Sequence, residues 1–572
     1  MGLVRHLGWL LLLAVAGCSW LSFGSRNTAA TSERLPLKRC EELLDLRVVA
    51  GDIGLPTLGA RVDKVDRMPE LAPYVDPDGE HLLPTLPRCV VQGSIVSVDA
   101  NAPPIRFAVN LPLQWNGRAL QSGGGGLNGV VITAPGNKAS GRFDPIPLDR
   151  PYPINLGYVT FGSDSGHQNP DTSFMRNDEA LRNWGGDELK KTRDVALKIV
   201  SVAYGRSASH VFFSGESAGG REALIAAQRF PNDYDGIIAT SPVLAWNTIH
   251  LADNALRDRL IQGWLDAAAI KLLADQTRAN CDDADGLKDG VIARYMECRN
   301  EVAALRCPDG RAAQGCLSDA QIASVNAIRE PWALPVVMAH GLTRYPGYGV
   351  TGDEDSPRYQ YAFYPVGTQP PSQPLPPGRG FEPQRGAILN FAAFWVRHAI
   401  VRDERFDPYL FDARPHASRI QYLSALFDAT DPDLSAFAKR NGKLIILQPS
   451  ADNAVGTPMV AEYYRSVVAR MGQAAADRVL RLYVGAGGGH NVTGPSQLDT
   501  LALLESWVLK GRTPPDAVVA VEMGPKDLSV RRSMPACRYP AYARYTGSGD
   551  PDSAANFRCT PRPDPLAFSP AR

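Results

Sequence analysis

The chain has 572 residues, and its 60 Lys and Arg are balanced by 60 Asp and Glu. Zero net charge argues against a nucleic-acid partner, whose phosphates call for a basic surface, and against an acidic disordered tail. Apolar residues make up 44 %, a globular share, and the nine cysteines cannot all pair with one another.

The N-terminus accounts for one cysteine. Arg5 and His6 precede an apolar run from Leu7 to Ala16, too short to span a bilayer and patterned as a secretory signal. The run ends Val15-Ala16-Gly17-Cys18, which resembles the bacterial lipobox, where the cysteine becomes the lipidated first residue. An ordinary signal peptide cleaved nearby is the alternative. Residues 1–18 are therefore expected to be a lipoprotein signal with Cys18 the lipidation site, and residues 19–37 a tether. Ser19, where Asp would retain the protein, implies an exported lipoprotein of the outer membrane or periplasm; secretion is the alternative. No other apolar run reaches membrane length, so the expected membrane contact is the lipid anchor alone.

Eight cysteines remain, an even count that in an exported chain supports disulfides. Proximity suggests Cys281–Cys298, Cys307–Cys316 and Cys537–Cys559, which leaves Cys40–Cys89. The absence of any CxxC pair weakens the other use of thiols, metal ligation.

Residues 88–113 alternate apolar and polar and predict antiparallel strands. Ala119 to Ser122 is a short strand running into Gly123-Gly124-Gly125-Gly126, and Tyr158 to Phe161 is another strand. Helical periodicity runs from Trp184 to Tyr204. A buried strand His210 to Ser214, the turn Gly215 to Gly219, a helix Arg221 to Arg229 and a strand Asp235 to Ala239 follow, which means a parallel sheet. From about Asn247 to Leu434 the pattern weakens and becomes rich in Pro and Gly. It resumes with a strand Lys443 to Gln448, a helix Met459 to Met471, a strand Arg478 to Val484 and a helix Leu501 to Leu509. The pattern is an α/β fold of residues 38–246 and 435–572, interrupted by an insertion of residues 247–434.

Gly215-Glu216-Ser217-Ala218-Gly219 matches the nucleophile elbow G-x-S-x-G in its strand–turn–helix setting. A serine hydroxyl needs a base, which in this fold follows an acid in chain order. Of the three histidines beyond residue 390, His398 sits in an aromatic helical stretch and His416 within the insertion. His490 follows the strand ending at Val484 and a run of glycines that lets the loop approach the site, so it is the candidate base. Asp452, just past the strand Lys443 to Gln448, is the candidate acid that would fix the His490 tautomer; an Asx-turn residue is the alternative. For an oxyanion, Ala218 N–H and one N–H of the glycine run, taken as Gly126, are the candidate donors. The run lacks the spacing of a dinucleotide fingerprint.

A second constellation, Cys281-Asp-Asp-Ala-Asp-Gly-Leu-Lys-Asp-Gly-Val291, places Asp282, Asp285 and Asp289 on one loop with two glycines. Carboxylates with backbone carbonyls suit a hard cation, Ca²⁺ best, in a structural role; a solvated acidic loop is the alternative.

Four of these segments together resemble the tannase/feruloyl esterase family: the Gly123–Gly126 run, Ser214-Gly-Glu-Ser-Ala-Gly-Gly-Arg221, Ala227 to Gly236, and the Asp-rich loop. The C-terminal Cys537-Arg-Tyr-Pro and Asn556-Phe-Arg-Cys559 resemble its terephthalate-ester branch. The resemblance covers about residues 38–565. It implies an α/β-hydrolase with a lid between elbow and acid, and the triad Ser217, Asp452, His490. It also implies a lid Ca²⁺ on Asp282, Asp285 and Asp289 with the carbonyls of Leu287 and Val291, and the same four disulfides. The implied activity is hydrolysis of small aromatic carboxylic esters (feruloyl, galloyl or hydroxyethyl terephthalate) through an acyl-enzyme; the chain is expected to act as a monomer. Lid residues Arg379, Phe381, Arg385, Phe391 and Trp395 are the candidate substrate contacts, with Val455 where the resemblance puts an aromatic wall. The chain departs from the family at Glu216 and Asn491, where the family usually has a bonded cysteine pair; a Glu216–Asn491 hydrogen bond is the expected substitute. Two other readings are a carboxylesterase or polyester-oligomer hydrolase with aliphatic preference, and a binding lipoprotein without turnover.

Overall fold

The computed structural model describes residues 35–37, 40–77, 79–133, 147–168, 172–298, 301–356, 360–371, 381–490 and 494–562. The signal, Cys18 and most of the tether lie outside them; the tether's last residues, Leu35–Pro36, pair antiparallel with Gln114–Trp115.

Twelve strands form the main sheet: β1 (Arg47–Val48), β2 (Ala60–Met68), β3 (Arg88–Ile95), β4 (Ile105–Pro112), β5 (Arg118–Ser122), β6 (Val159–Ser163), β7 (His210–Glu216), β8 (Gly236–Thr240), β9 (Lys443–Pro449), β10 (Leu480–Gly485), β11 (Ala517–Met523) and β12 (Val530–Arg538). Their order is 11-12-10-9-8-7-5-6-4-3-2-1. The run β6-β5-β7-β8-β9-β10 is parallel, and both flanks are antiparallel. Sequence pattern explains the division. In β3, Cys89, Val91, Gly93 and Ile95 are buried while the residues between them are more open, as expected of a sheet with one wet face. In β8, β9 and β10 every residue is buried, because helices cover both faces.

Alternate residues of the central strands feed two cores. Phe213, Ile237, Leu444 and Ile446 pack with α2 (Ala218–Arg229), and Phe212, Ile238, Ile445 and Leu447 pack with Leu501, Leu504 and Trp507 of the helix Thr500–Lys510. The helix α1 (Glu188–Tyr204) lays Val195, Ala196, Ile199 and Val200 over Val109 and Phe161. Several predicted boundaries shift by a residue or two, and three differ for a structural reason. The helix expected from Trp184 is interrupted, because Gly186 at φ 136° takes a conformation no helix allows and a five-residue π turn precedes α1. Helix α2 starts at Ala218, since the elbow itself is its first turn. Arg478 and Val479 belong to a preceding helix, Gln473–Val479, and not to β10.

Between β8 and β9 no described residue joins the main sheet. That stretch contributes α3 (Trp246–Gln262), α4 (Ala387–Phe394) and further helices, with a two-stranded pairing of Trp332–Ala333 and Arg344–Tyr345. The eight cysteines pair as Cys40–Cys89, Cys281–Cys298, Cys307–Cys316 and Cys537–Cys559, as proximity suggests. Among the described residues no helix is long and apolar enough to cross a membrane.

Candidate active site

Ser217 sits between β7 and α2 at φ 60°, ψ −120°. The conformation is costly for a residue with a Cβ, by about 1–3 kcal/mol, and needs over-determined surroundings. These are present: Ser217 N–H donates to Thr240 O at 3.0 Å, and Ser217 O accepts from Arg221 N at 3.1 Å and Val243 N at 3.1 Å. Gly215 must be glycine, since a Cβ there would stand 2.3 Å from Gly219 O.

The loops after β9 and β10 bring their side chains to this turn. His490 Nε2 lies 3.0 Å from Ser217 Oγ, and its Nδ1 lies 2.7 Å from Asp452 Oδ2. The other carboxylate oxygen of Asp452 accepts from the Ala454 and Val455 N–H groups, each at 2.8 Å. Asp452 and His490 are buried. The buried carboxylate fixes the ring with Nδ1–H toward Asp452 and leaves Nε2 free to accept the serine proton. His398 is buried in the π-helical turn after α4, and His416 lies in a short 3₁₀ turn.

The glycine run packs on α2. Gly123 N–H donates to Ser214 O at 2.9 Å and Gly124 N–H to Glu222 Oε2 at 3.0 Å, which leaves Gly125 and Gly126 as the run's open donors. Gly219 must be small because a Cβ would meet Gly123 C at 2.9 Å. Gly126 has φ 59°, and a Cβ built on it would meet nothing, so it faces open space. Ala218 N opens α2, where the helix dipole favours negative charge.

Glu222, which no sequence motif marks, tethers the glycine run from behind. Burial raises it to about 7, against the lowering effects of Arg221 and of the Gly124 N–H. Its neighbour Glu188 is also raised, by burial and by the Glu222 charge, and accepts from Ser163 Oγ at 2.5 Å. Arg221 is fully buried over the faces of Trp184, Trp246 and Phe427 and donates to Trp184 O at 3.0 Å. The signal lies in the adjacent Arg221-Glu222 pair, set between Ala218-Gly-Gly and Ala223-Leu-Ile-Ala-Ala227: two charges that must be buried need partners.

The proposed substrate contacts separate. Phe381 is 43 % exposed, its ring centroid 5.1 Å from that of Phe391, and Arg385 nearby donates to Pro370 O at 2.8 Å and pairs with Glu382. Trp395 instead is buried edge-to-face among Trp184, Trp246 and Phe427, its Nε1–H donating to Asn247 at 2.8 Å. Val455 is buried behind Asp452, which its N–H holds. Arg379 and Asn491 lie outside the described residues; Glu216 is buried beside the serine. Unforeseen is Tyr364, whose ring meets His490 edge-on with centroids 5.3 Å apart.

In the acidic loop each carboxylate caps backbone. Asp282 accepts from Gly290 N, Asp285 from Leu287 N and Ala293 N, and Asp289 from Val291 N while pairing with Arg532. Among the described residues no three such side chains gather as a metal-holding group. The donors are nevertheless all hard oxygens, and Asp285 is raised to about 7 by burial, with the Asp289 and Asp282 charges adding to it. The loop packs against the segment that leads to the candidate base: a Cβ on Gly487, three residues before His490, would meet Val291 Cγ1 at 2.7 Å.

Comparison with known proteins gives one picture. The sequence profile described as Tannase and feruloyl esterase matches residues 89–560. An uncharacterised esterase of Agrobacterium fabrum is 33 % identical over 539 residues, covering 91 % of this chain and 92 % of the relative. The mono(2-hydroxyethyl) terephthalate hydrolase of Piscinibacter sakaiensis is 30 % identical over 529 residues, covering 83 % and 85 %. The crystal structure of feruloyl esterase B from Aspergillus oryzae superposes with a TM-score of 0.70 at 21 % identity, covering 89 % of this chain and 98 % of that one, and so shares the fold.

Proposed function

The chain belongs to the tannase and feruloyl esterase family, and from that premise we propose that it hydrolyses small aromatic carboxylic esters through a Ser217 acyl-enzyme. One observation carries the reading: a serine on a strained elbow, 3.0 Å from a histidine ring that a buried carboxylate holds at 2.7 Å. In the proposed reaction His490 Nε2 takes the Ser217 proton as Oγ attacks the ester carbonyl. The N–H groups of Ala218 and Gly126 hold the oxyanion. His490 returns the proton to the leaving alcohol, then takes one from the water that cleaves the acyl-enzyme. The aromatic acyl group is supported by the terephthalate ester named for one relative and by the exposed Phe381 beside Phe391, with Arg385 as a nearby cation. Residues 247–434 are read as the lid that supplies these groups.

Ser217→Ala is expected to lower kcat by about 10⁶-fold, the scale of nucleophile loss in serine hydrolases. A fluorophosphonate probe that labels the parent but not this variant separates an enzyme from a binding lipoprotein. A panel of methyl ferulate, methyl gallate, mono(2-hydroxyethyl) terephthalate and p-nitrophenyl butyrate names the acyl class; preference for the butyrate would instead favour the aliphatic reading.

Ca²⁺ on Asp282, Asp285 and Asp289, with the Leu287 and Val291 carbonyls, would offset the mutual repulsion of the three carboxylates and stiffen the loop that supports residue 487. Chelation is then expected to lower Tm by several degrees, with Ca²⁺ restoring it. The N-terminal pattern supports an exported, lipid-anchored protein, which we read as a monomer; radiolabelled palmitate incorporation lost in Cys18→Ala tests the anchor, and sedimentation the monomer.

A further inference from the structure

Asp452 and His490 arrive on loops, and the side chains that grip those loops come from the insertion between β8 and β9. Gln360 is 1 % exposed, and each of its amide groups is used. Its Nε2 donates to Ala451 O at 3.1 Å and to Asp353 Oδ2 at 2.6 Å, and its Oε1 accepts from Asn453 Nδ2 at 2.7 Å. Thr351 Oγ1 donates to the other end of the same amide, Asn453 Oδ1, at 3.2 Å. Residues 451 and 453 flank Asp452 on both sides. The approach is tight enough to demand glycine at residue 456, where a Cβ would stand 2.8 Å from Gly347 O and from Tyr348 Cα. The same Gln360 opens the turn that delivers Tyr364: its carbonyl accepts from Phe363 N at 3.0 Å and Tyr364 N at 2.8 Å. The Tyr364 ring then meets the His490 imidazole.

We propose that the inserted region completes the catalytic triad as well as covering it, with Gln360 the positioning residue that sets the Asp452 loop through Ala451 and Asn453 and seats Tyr364 against His490. The physical need is plain. The Ser217 turn is held by backbone hydrogen bonds within the α/β core, but Asp452 follows its strand by three residues, and a displacement of about 1 Å in a catalytic group can cost on the order of 10²-fold. A buried primary amide with two donors used on opposite partners and one acceptor on a third fixes both position and orientation, and it does so without adding a charge beside the carboxylate. The inserted region is thereby coupled to the chemistry: whatever moves residues 351 or 360 moves the acid.

The proposal rests on the triad reading above, and Ser217→Ala in the same assay tests that reading separately. Gln360→Leu keeps the volume and removes all three hydrogen bonds. It is expected to lower kcat by about 10–100-fold with KM changed by less than about threefold, in protein whose near-ultraviolet dichroism matches the parent. Loosening the Asp452 carboxylate from the imidazolium also moves the acid limb of the kcat/KM profile to lower pH, which a merely structural defect does not do. Thr351→Val, a milder cut in the same chain, is expected to move both quantities in the same direction by a smaller factor, and it decides the matter if Gln360→Leu does not fold. Folded Gln360→Leu with parental kcat and acid limb overturns the proposal. So does a loss of activity, in either variant, that only follows the folded fraction and leaves the limb in place.

Discussion

The two halves of the site are built by different means. The nucleophile half is backbone. Ser217, Ala218 and the glycine run are placed mainly by main-chain hydrogen bonds to Thr240, Val243 and Ser214 and by glycines at van der Waals limits, with one side chain, Glu222, behind Gly124. The acid–base half is side chain. Asp452 and His490 stand on loops gripped by Thr351, Gln360 and Tyr364, and the base loop leans on Val291 from the acidic loop. A backbone-built half is intolerant of any added atom but indifferent to distant change. A side-chain-built half tolerates small shifts and transmits them.

The largest effect that sharpens the contrast is removal of the acid's charge. Asp452→Asn is expected to lower kcat by about 10⁴-fold, because the neutral amide no longer selects the Nδ1–H tautomer of His490. Steady-state kinetics check it, and a loss under tenfold would mean that the acid lies elsewhere. Next comes Gly219→Ala. The new Cβ would press on Gly123 at 2.9 Å and push the glycine run away from the serine. A loss on the order of 10²-fold in kcat is expected, the scale of one misplaced oxyanion donor. Parental kcat in this variant would show that the glycine run does not hold the oxyanion.

The contrast also explains what could be read from the chain. The elbow, the glycine run and the α/β core were legible because each is a local pattern: five residues of Gly215 to Gly219, four glycines, and unbroken apolar runs such as Leu444 to Leu447 with alternate residues feeding two cores. Asp452 and His490 followed from chain order and strand ends. Proximity along the chain also found the disulfides. Gln360 and Tyr364 were illegible because nothing local distinguishes them; their meaning comes from residues about 90 to 130 positions away. Trp395 and Val455 resemble pocket residues by type and place, but packing uses the indole in a four-ring cluster and the valine N–H as an anchor for the acid. Glu222 is hard to read because a helical glutamate usually faces water, and here the closeness of the glycine run to α2 buries it.

Glu222 gives the smallest effect and the one that tests the backbone half most finely. Glu222→Gln keeps an oxygen for the Gly124 N–H, so kcat is expected to stay within about threefold of the parent, while Glu222→Ala frees the run and costs about tenfold or more. The stability signature is sharper. The carboxyl is held at about 7 against an ordinary 4.5, first by burial. The folded chain therefore keeps a proton that the unfolded chain releases, so stability falls as pH rises from about 4.5 toward 7. An amide cannot titrate, so Glu222→Gln removes that part of the slope: its Tm is expected to fall less than the parent's between pH 4.5 and 7, with the gap closing below pH 4.5. Calorimetry across that interval measures it. Parallel slopes for parent and variant would mean that Glu222 is ionised throughout, and that the glycine run is held by a full negative charge behind the very groups that must receive one.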